Sequence, residues 1–260
     1  MRNALLIAAI LLASHRPTPP KDVSIETIQA IFRSVVPVVC GYMDSDNKFQ
    51  LVAVAGSGFF VDRNGRFVTA GHVLDDWQKI SATRRSCNPA IYIPHRDWGQ
   101  AEVKKEIESF TFMACSRDTD IDVAVCNPID NPFESSRINR ESIAPVTFDT
   151  EVKPVGTPVA FTGFPLESVL PITSKGFIGG YNHLGAGDVT TVEYVLDKAA
   201  WPGASGSLVY LENGKVIGII LKAGINEGSG LAFAGRAAAI VDFLSKHPAT
   251  PKPEQKSVVN

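Results

Sequence analysis

Short apolar runs separated by turn residues recur along most of this 260-residue chain. Two of the turns, Asp62-Arg63-Asn64-Gly65 and Glu212-Asn213-Gly214, place an Asn-Gly pair between apolar runs, which is a strong local signal for a β-hairpin. The runs predicted to be strands are 36–43, 51–55, 58–62, 67–70, 90–94, 109–114, 123–126, 158–163, 176–180, 190–196, 209–211 and 216–221. Many short strands with glycine and proline between them predict an all-β barrel or sandwich architecture.

Two helices are predicted at the ends of this β region. Ser24 is a candidate N-cap for a short helix over about 24–33, in which apolar residues recur on one side. A second helix is predicted over 237–245. The tail over 247–260 carries three prolines and is predicted to be disordered.

The N-terminus has the composition of an export signal. Met1-Arg2-Asn3 precedes ten unbroken apolar residues, 4–13, and a proline-rich segment follows. Ten residues are too few to span a bilayer comfortably, which takes about 20. The sequence therefore predicts an exported protein, periplasmic or extracellular. Because no clean Ala-x-Ala cleavage site is present, an uncleaved membrane anchor through residues 4–13 stays open.

Charge and residue spacing exclude several classes of function. The formal net charge of −2 gives no basic balance for binding a phosphate backbone, so no nucleic-acid partner is expected. The five histidines show no ligand-type spacing, and neither a metal site nor a cofactor is predicted.

The four cysteines are Cys40, Cys87, Cys115 and Cys126. In an exported protein they allow two disulfides in three possible pairings. The alternative is that some are buried free thiols, since Cys40 and Cys126 lie in apolar strand-like runs.

Three segments carry candidate chemistry: 68–74 with His72, 120–125 with Asp122, and 202–207 with Ser205. A serine hydroxyl is a weak nucleophile that must pass its proton to a base, and the pKa of histidine suits that task. A carboxylate then fixes the imidazole tautomer and stabilises the imidazolium. Gly203 allows a tight turn, in which the N–H groups of Gly203 and Ser205 are the expected donors to an oxyanion.

Each segment alone also has an ordinary structural explanation. A histidine after a strand usually packs or lies at the surface, and Gly-x-Ser-Gly is a common turn. Asp120 is an alternative third member, because residues two apart lie on the same face of a strand. The order His, Asp, Ser, with spacings of 50 and 83 residues, makes the combination specific. An α/β-hydrolase would need the order Ser, acid, His and a glycine at position 207, which is serine here.

These segments resemble those of the trypsin-like (chymotrypsin-fold) serine peptidases, especially the bacterial HtrA/Deg-type and glutamyl-endopeptidase-like proteases. "GSGFFVDRNGRFVTAGHVL" resembles the family's strand, hairpin and Thr-Ala-x-His motif, "DIDVAV" its Asp-x-Ala motif, and "DKAAWPGASGSLVYLENGKVIGI" its nucleophile loop. The resemblance runs from about residue 24 to 245.

The resemblance implies two antiparallel six-stranded β-barrels with the site between them. It implies a serine endopeptidase acting on protein or peptide substrates through an acyl-enzyme, with His72 as base, Asp122 as orienting acid and Ser205 as nucleophile. Gly203 and Ser205 would form the oxyanion hole. The expected organisation is a signal peptide or anchor plus linker over 1–20, the protease domain over 21–246 and the tail over 247–260.

The chain departs from the family at several positions. Ala204 stands where the digestive enzymes carry Asp, so activation through an ion pair with a freed N-terminus is not expected. Ser207 replaces a common glycine, and Val73 stands where many secreted members have the cysteine of a histidine-loop disulfide. No segment of the size of a PDZ domain follows residue 245, so a protease without that domain is expected.

Specificity is predicted from three positions that the resemblance places around the residue before the scissile bond. Ala199 would lie near the base of that pocket, with Ala223 and Leu231 in its walls. None is acidic, so a small or medium apolar residue is expected there rather than Arg or Lys. The alternative function, left open by the sequence, is a catalytically silent or regulated protease fold that acts as a binding scaffold.

Overall fold

The strands form two barrels with the same internal order. In the computed structural model, the described residues are 21–46, 48–84, 86–94, 98, 107–183, 192–224 and 230–249. The first barrel closes in the order β1-β2-β3-β6-β5-β4 and the second in the order β7-β8-β9-β12-β11-β10. All the pairings are antiparallel. The predicted pair of six-stranded barrels is confirmed, and the repeated strand order is a symmetry that the sequence does not display.

Most strands coincide with predicted runs, but the runs 51–55 and 58–62 form a single strand, β2, and β12 was not predicted. The first barrel comprises β1 Val35–Met43, β2 Phe49–Phe60, β3 Phe67–Ala70, β4 Asn88–Pro94, β5 Ile107–Asp118 and β6 Val123–Pro128. The second comprises β7 Pro158–Gly163, β8 Ile172–His183, β9 Val192–Leu196, β10 Leu208–Tyr210, β11 Val216–Ala223 and β12 Ala232–Arg236.

Each barrel is filled by large side chains from its inward faces. The first contains a set of buried phenylalanines, among which Phe67 and Phe112 meet edge to face with ring centroids 5.1 Å apart. Tyr194 and Tyr210 are fully buried in the second. Burying a large apolar side chain stabilises a fold by about 1.5–3 kcal/mol, so the two cores contribute to the stability of the barrels whose loops carry the candidate site.

Three α-helices lie in the described residues: α1 Ile25–Phe32, α2 Gly71–Thr83 and α3 Ala237–Lys246. The predicted cap of α1 is confirmed, since Ser24 Oγ accepts from the Thr27 amide at 3.2 Å. Helix α2, which begins one residue before His72, was not predicted. Its N-cap is Ala70, which has no side-chain capping bond, so the usual sequence signal for a helix start is missing.

Both predicted ends of the chain extend beyond what the structure describes. The apolar segment 4–13 and the tail residues 250–260 lie outside the described residues. Among the helices that are described, none is long and apolar enough to cross a membrane.

All four cysteines are paired. Cys40 binds Cys87, and Cys115 binds Cys126, which faces it directly in the β5–β6 register. This is one of the three pairings that the sequence allows, and the free-thiol alternative is wrong.

Candidate active site

His72 and Asp122 are joined by two hydrogen bonds. The distance from His72 Nδ1 to Asp122 Oδ2 is 2.6 Å, and the His72 amide donates to Asp122 Oδ1 at 2.8 Å. The amide of Gly71 donates to the Asp122 carbonyl, also at 2.8 Å. Because an ionised carboxylate only accepts, the ring proton lies on Nδ1 and leaves Nε2 as an acceptor. The imidazole is therefore oriented and ready to take up a proton.

Adjacent strands bring the two side chains together. β3 ends at Ala70, which pairs with Val123 at the start of β6, so His72 follows one strand and Asp122 precedes its neighbour. Asp122 has a left-handed backbone, with φ of 51°, in the turn before β6. The expectation that Asp120 and Asp122 share a strand face is wrong, because both precede the strand. Asp122, and not Asp120, is the partner of His72.

The pKa of His72 is raised above its usual value of 6.5. The hydrogen bond to Asp122 is the largest cause, and the negative charges of Asp122 and Asp76 act in the same direction. Partial burial and the positive charge of Arg117 oppose the increase. The imidazolium form is thus stabilised, as is useful for a group that must hold a proton transiently.

Ser205 lies in the nucleophile turn (residues 201–207), against the segment that carries His72. Gly56 lies between these two segments. A Cβ placed on it would come within 2.6 Å of the Val73 side chain and 3.1 Å of the Ser205 carbonyl oxygen, so only the Gly56 backbone fits between Val73 and Ser205. The Ser57 amide donates to that carbonyl at 2.8 Å. The Ser205 hydroxyl donates to the Leu221 carbonyl at 3.4 Å, and this is its only hydrogen bond among the described residues.

Two amides of the nucleophile turn lack a hydrogen-bond partner among the described residues. Gly203 has φ of 88°, and a Cβ there would come within 2.8 Å of the Phe164 carbonyl oxygen, so only glycine fits without strain. The Pro202 carbonyl accepts from the Leu166 amide at 2.7 Å, which keeps that carbonyl occupied. In the part of the chain described, the amides of Gly203 and Ser205 have no acceptor. Two preorganised donors of this kind can stabilise an oxyanion.

Family comparison agrees with this geometry. The family model of the trypsin-like peptidase domain matches residues 56–219, which include all three of these side chains. The chain belongs to the trypsin-like peptidase family. It is therefore a serine-type peptidase by family, and the resemblance inferred from its motifs is confirmed.

Solved structures place this trypsin-like chain in the same fold. The active form of the Rv3671c protease from M. tuberculosis matches with a TM-score of 0.60 and 20% identity, covering 90% of this chain and 92% of that one. The inactive form of the Rv3671c protease matches with a TM-score of 0.59 and 19% identity, covering 89% and 100%. None of the curated proteins matches this sequence.

Ser57 supports the nucleophile turn of this trypsin-like site and was missed by the sequence reasoning. Its buried hydroxyl donates to the Gly203 carbonyl at 2.8 Å and accepts from the Phe164 amide at 2.8 Å. These hydrogen bonds connect strand β2 of the first barrel to the nucleophile turn of the second. Ser57 is the serine of the quoted Gly-Ser-Gly motif, so the motif itself was the signal.

Two ion pairs beside the site could not be read from local sequence. Arg117 of β5 binds Asp75 of α2, and Lys222 of β11 binds Glu193 of β9 with an Nζ–Oε2 distance of 3.2 Å. In both pairs the partners come from elements far apart in the chain. Only the barrel pairings bring them to the site.

Ala204 is buried and faces a cavity of about 170 Å³ whose lining includes Trp201, Leu166 and Ser207. The Ser207 hydroxyl is buried and has no hydrogen-bond partner in the described structure.

The predicted substrate pocket is only partly described. Ala223 pairs with Ala232 across the β11–β12 hairpin, and the neighbouring Gly224 amide donates to the Leu231 carbonyl, so Ala223 and Leu231 are close. Ala199 is half-buried before the nucleophile turn. Residues 225–229 lie outside the described chain, and the pocket stays a prediction.

Proposed function

We propose that the chain is an active serine endopeptidase that hydrolyses peptide bonds through His72, Asp122 and Ser205. The observation that carries the proposal is the pair of hydrogen bonds that fixes His72 on Asp122, at 2.6 and 2.8 Å, together with a nucleophile turn whose Gly203 and Ser205 amides have no acceptor among the described residues. This arrangement holds a base in the correct tautomer, with Ser205 across Gly56 from the residue that follows His72, and offers two donors to an oxyanion.

The proposed reaction has two stages. Ser205 Oγ attacks the scissile carbonyl carbon while His72 Nε2 takes the hydroxyl proton, and the oxyanion accepts from the amides of Gly203 and Ser205. The tetrahedral intermediate expels the amine, which takes the proton from His72. Water then attacks the acyl-enzyme with His72 again as base, releasing the acid and free Ser205.

This reaction requires the Ser205 hydroxyl to leave the Leu221 carbonyl. A bond of 3.4 Å between neutral groups is weak, and rotation about one side-chain torsion redirects the hydroxyl. Such rotations are fast on the timescale of turnover, so the observed orientation is compatible with activity.

A test at the residue level is labelling with a fluorophosphonate probe, followed by mass spectrometry of the adduct. We expect an adduct on Ser205 of the wild-type chain and none on Ser205→Ala. Asp122→Asn should label much more slowly, since the wrong imidazole tautomer typically lowers turnover by about 10⁴-fold. A folded wild-type protein that takes no label would refute the proposal.

The second candidate is a regulated or silent protease fold that binds rather than cleaves. It is favoured by the orientation of the Ser205 hydroxyl, which donates to the Leu221 carbonyl. Absence of labelling together with saturable binding of peptides would establish this alternative.

We further propose that the protein is exported, with residues 4–13 as signal or anchor. Two disulfides support an oxidising compartment, because reducing conditions in the cytosol disfavour such bonds. Fractionation of cells expressing the full chain, compared with a Leu6→Asp variant, tests this. A wild-type protein that stays in the cytosol with free thiols would rule it out.

A further inference from the structure

A cavity of about 410 Å³ opens beside His72 between the two barrels. It is lined by His72, Asp120, Ile121, Asp122, Glu193, Leu221 and Lys222. The catalytic roles proposed above use only the first and fourth of these residues. The others come from the turn before β6 and from strands β9 and β11, and they make the cavity strongly charged.

Glu193 has an incompletely paired carboxylate. Its side chain is only 4% exposed, and both of its partners bind one oxygen, since Asn182 Nδ2 donates to Oε2 at 2.9 Å and Lys222 Nζ lies 3.2 Å from the same atom. The second oxygen, Oε1, has no partner among the described residues. A buried carboxylate is costly unless it is well paired, so a second cation at this group is favourable.

Asp120 adds a second carboxylate with no partner in the described chain. Its backbone amide is held by Asp118 Oδ1 at 2.9 Å, which fixes the turn, while the side chain stays exposed on the cavity wall. Asp122 is already engaged by His72. Asp120 and the free oxygen of Glu193 are therefore the acceptors open to a ligand.

The described lining of the cavity holds more carboxylates than cations. Among the described residues that line the cavity, Lys222 is the one cation, and its ammonium group lies between Glu193 and the Phe233 ring, 5.2 Å from the ring centroid. Arg236 lies close to Glu193 in a small adjoining cavity, where it also donates to the Thr150 carbonyl and lies over the Tyr194 ring, but it does not line this cavity. Among the described lining residues, three carboxylates (Asp120, Asp122 and Glu193) accompany one ammonium group, that of Lys222.

An extended peptide can bind along the edge of β11, beside the cavity. β10 pairs with β11 only as far as Ile219, so Leu221–Ala223 has no strand partner on that side in the described chain. An extended peptide can add to such an edge by main-chain hydrogen bonds, with Leu221 next to Ser205. Side chains of an extended peptide alternate between two faces. If one residue faces Ala223, its neighbour faces the cavity beside His72.

We propose that this cavity is a subsite for a lysine or arginine at the second residue before the scissile bond, held between Asp120 and Glu193. The inference rests on the proposed peptidase function and adds a charge preference to it. It is separate from the apolar preference expected for the residue next to the scissile bond, which concerns the opposite face of the bound peptide.

The test is cleavage of a fluorogenic peptide series by the full-length protein. The peptides differ only at the second residue before the scissile bond, which is lysine, arginine, norleucine, glutamine or glutamate. We expect kcat/KM to be about fivefold higher for lysine than for norleucine, and glutamate to be the poorest, since a partly exposed charge pair contributes modestly. Moving the lysine one residue nearer the bond should abolish the advantage.

Variants locate the charges responsible. Glu193→Gln and Asp120→Asn should each reduce the lysine-to-norleucine ratio, and Lys222→Gln should increase it. Asp120 is exposed, so its variant stays informative even if Glu193→Gln folds poorly. Glu151→Gln is the matched control, because it removes one exposed negative charge that does not line the cavity, and it should keep the wild-type ratio.

Equal cleavage of the lysine, norleucine and glutamate peptides would overturn the subsite while leaving the peptidase function intact. So would a lysine preference that survives in both carboxylate variants. If no peptide is cleaved and Ser205 takes no fluorophosphonate label, the proposed function fails and the subsite with it.

Discussion

Arg117 holds both carboxylate oxygens of Asp75, with Nη1–Oδ1 and Nη2–Oδ2 distances of 2.7 and 2.8 Å. This pair joins β5 to α2 three residues after His72. A Cβ placed on Gly71 would come within 2.9 Å of both Arg117 Nε and Asp122 Oδ1, so the guanidinium and that carboxylate flank the same stretch of backbone. Arg117 therefore acts on the site without touching the imidazole.

Replacing Arg117 by glutamine should move the acid limb of the pH–rate profile to higher pH. His72 must be neutral to accept a proton, so kcat/KM falls as the pH drops through its pKa. That pKa is already above 6.5, and the positive charge of Arg117 lowers it, so loss of the charge raises it further. The measurement is kcat/KM on one peptide between about pH 5 and 9.

Arg117→Lys is the matched control for this shift, because it keeps the charge and loses the planar two-point contact with Asp75. Its acid limb should stay nearer to that of the wild type. The other charges that face His72 are Asp75, Asp76, Asp120, Asp122, Glu193 and Lys222, and they are unchanged in both variants. If the acid limb does not move in Arg117→Gln while the thermal stability falls, the Arg117–Asp75 pair has a structural role only.

Gly203→Ala should lower kcat by about 10²–10³-fold, the typical effect of losing one oxyanion donor. The added methyl would come within 2.8 Å of the Phe164 carbonyl oxygen and would push the 203 amide out of position. Gly156→Ala is the control for backbone strain alone, since Gly156 has φ of 87° but nothing within 4 Å of the added Cβ. Similar kcat values for the two variants would contradict the role of the Gly203 amide.

Ser57→Ala should lower the free energy of unfolding by about 1–3 kcal/mol, because the buried Phe164 amide and Gly203 carbonyl lose their shared partner. It should also lower kcat, since Gly203 is then free to turn. Urea unfolding and steady-state kinetics measure the two effects. Ser142→Ala removes an exposed hydroxyl that bonds only the Asn139 carbonyl, and it should change neither quantity appreciably.

The parts of the fold that were predicted are those with local signals. The Asn-Gly turn at 64–65 connects β2 to β3, as its sequence predicts. The α1 cap at Ser24 could be predicted because serine is a favoured N-cap residue. His72, Asp122 and Ser205 were singled out because each lies in a short motif, and the structure joins the first two by a hydrogen bond. Helix α2 was missed because its first residue follows Ala70, which offers no capping side chain.

The unpredicted parts of the site depend on contacts between distant segments. Arg117 and Asp75 are 42 residues apart, and Ser57 and Gly203 are 146 apart. Nothing in either local sequence selects the partner. The pairing of Cys115 with Cys126 likewise follows from the β5–β6 register, which sequence reasoning left as one of three possibilities.

The two disulfides should contribute unequally to stability. Cys40–Cys87 spans 47 residues and Cys115–Cys126 spans 11, and a crosslink that closes a longer loop removes more entropy from the unfolded chain. On this basis, replacing both cysteines of the first pair by alanine should cost about 4 kcal/mol, and of the second about 3 kcal/mol. Chemical unfolding of the two double variants under non-reducing conditions measures the difference. A larger loss for the Cys115–Cys126 variant would mean that native packing around β5 and β6, next to Arg117 and Asp122, outweighs loop entropy, and its activity should then fall along with its stability.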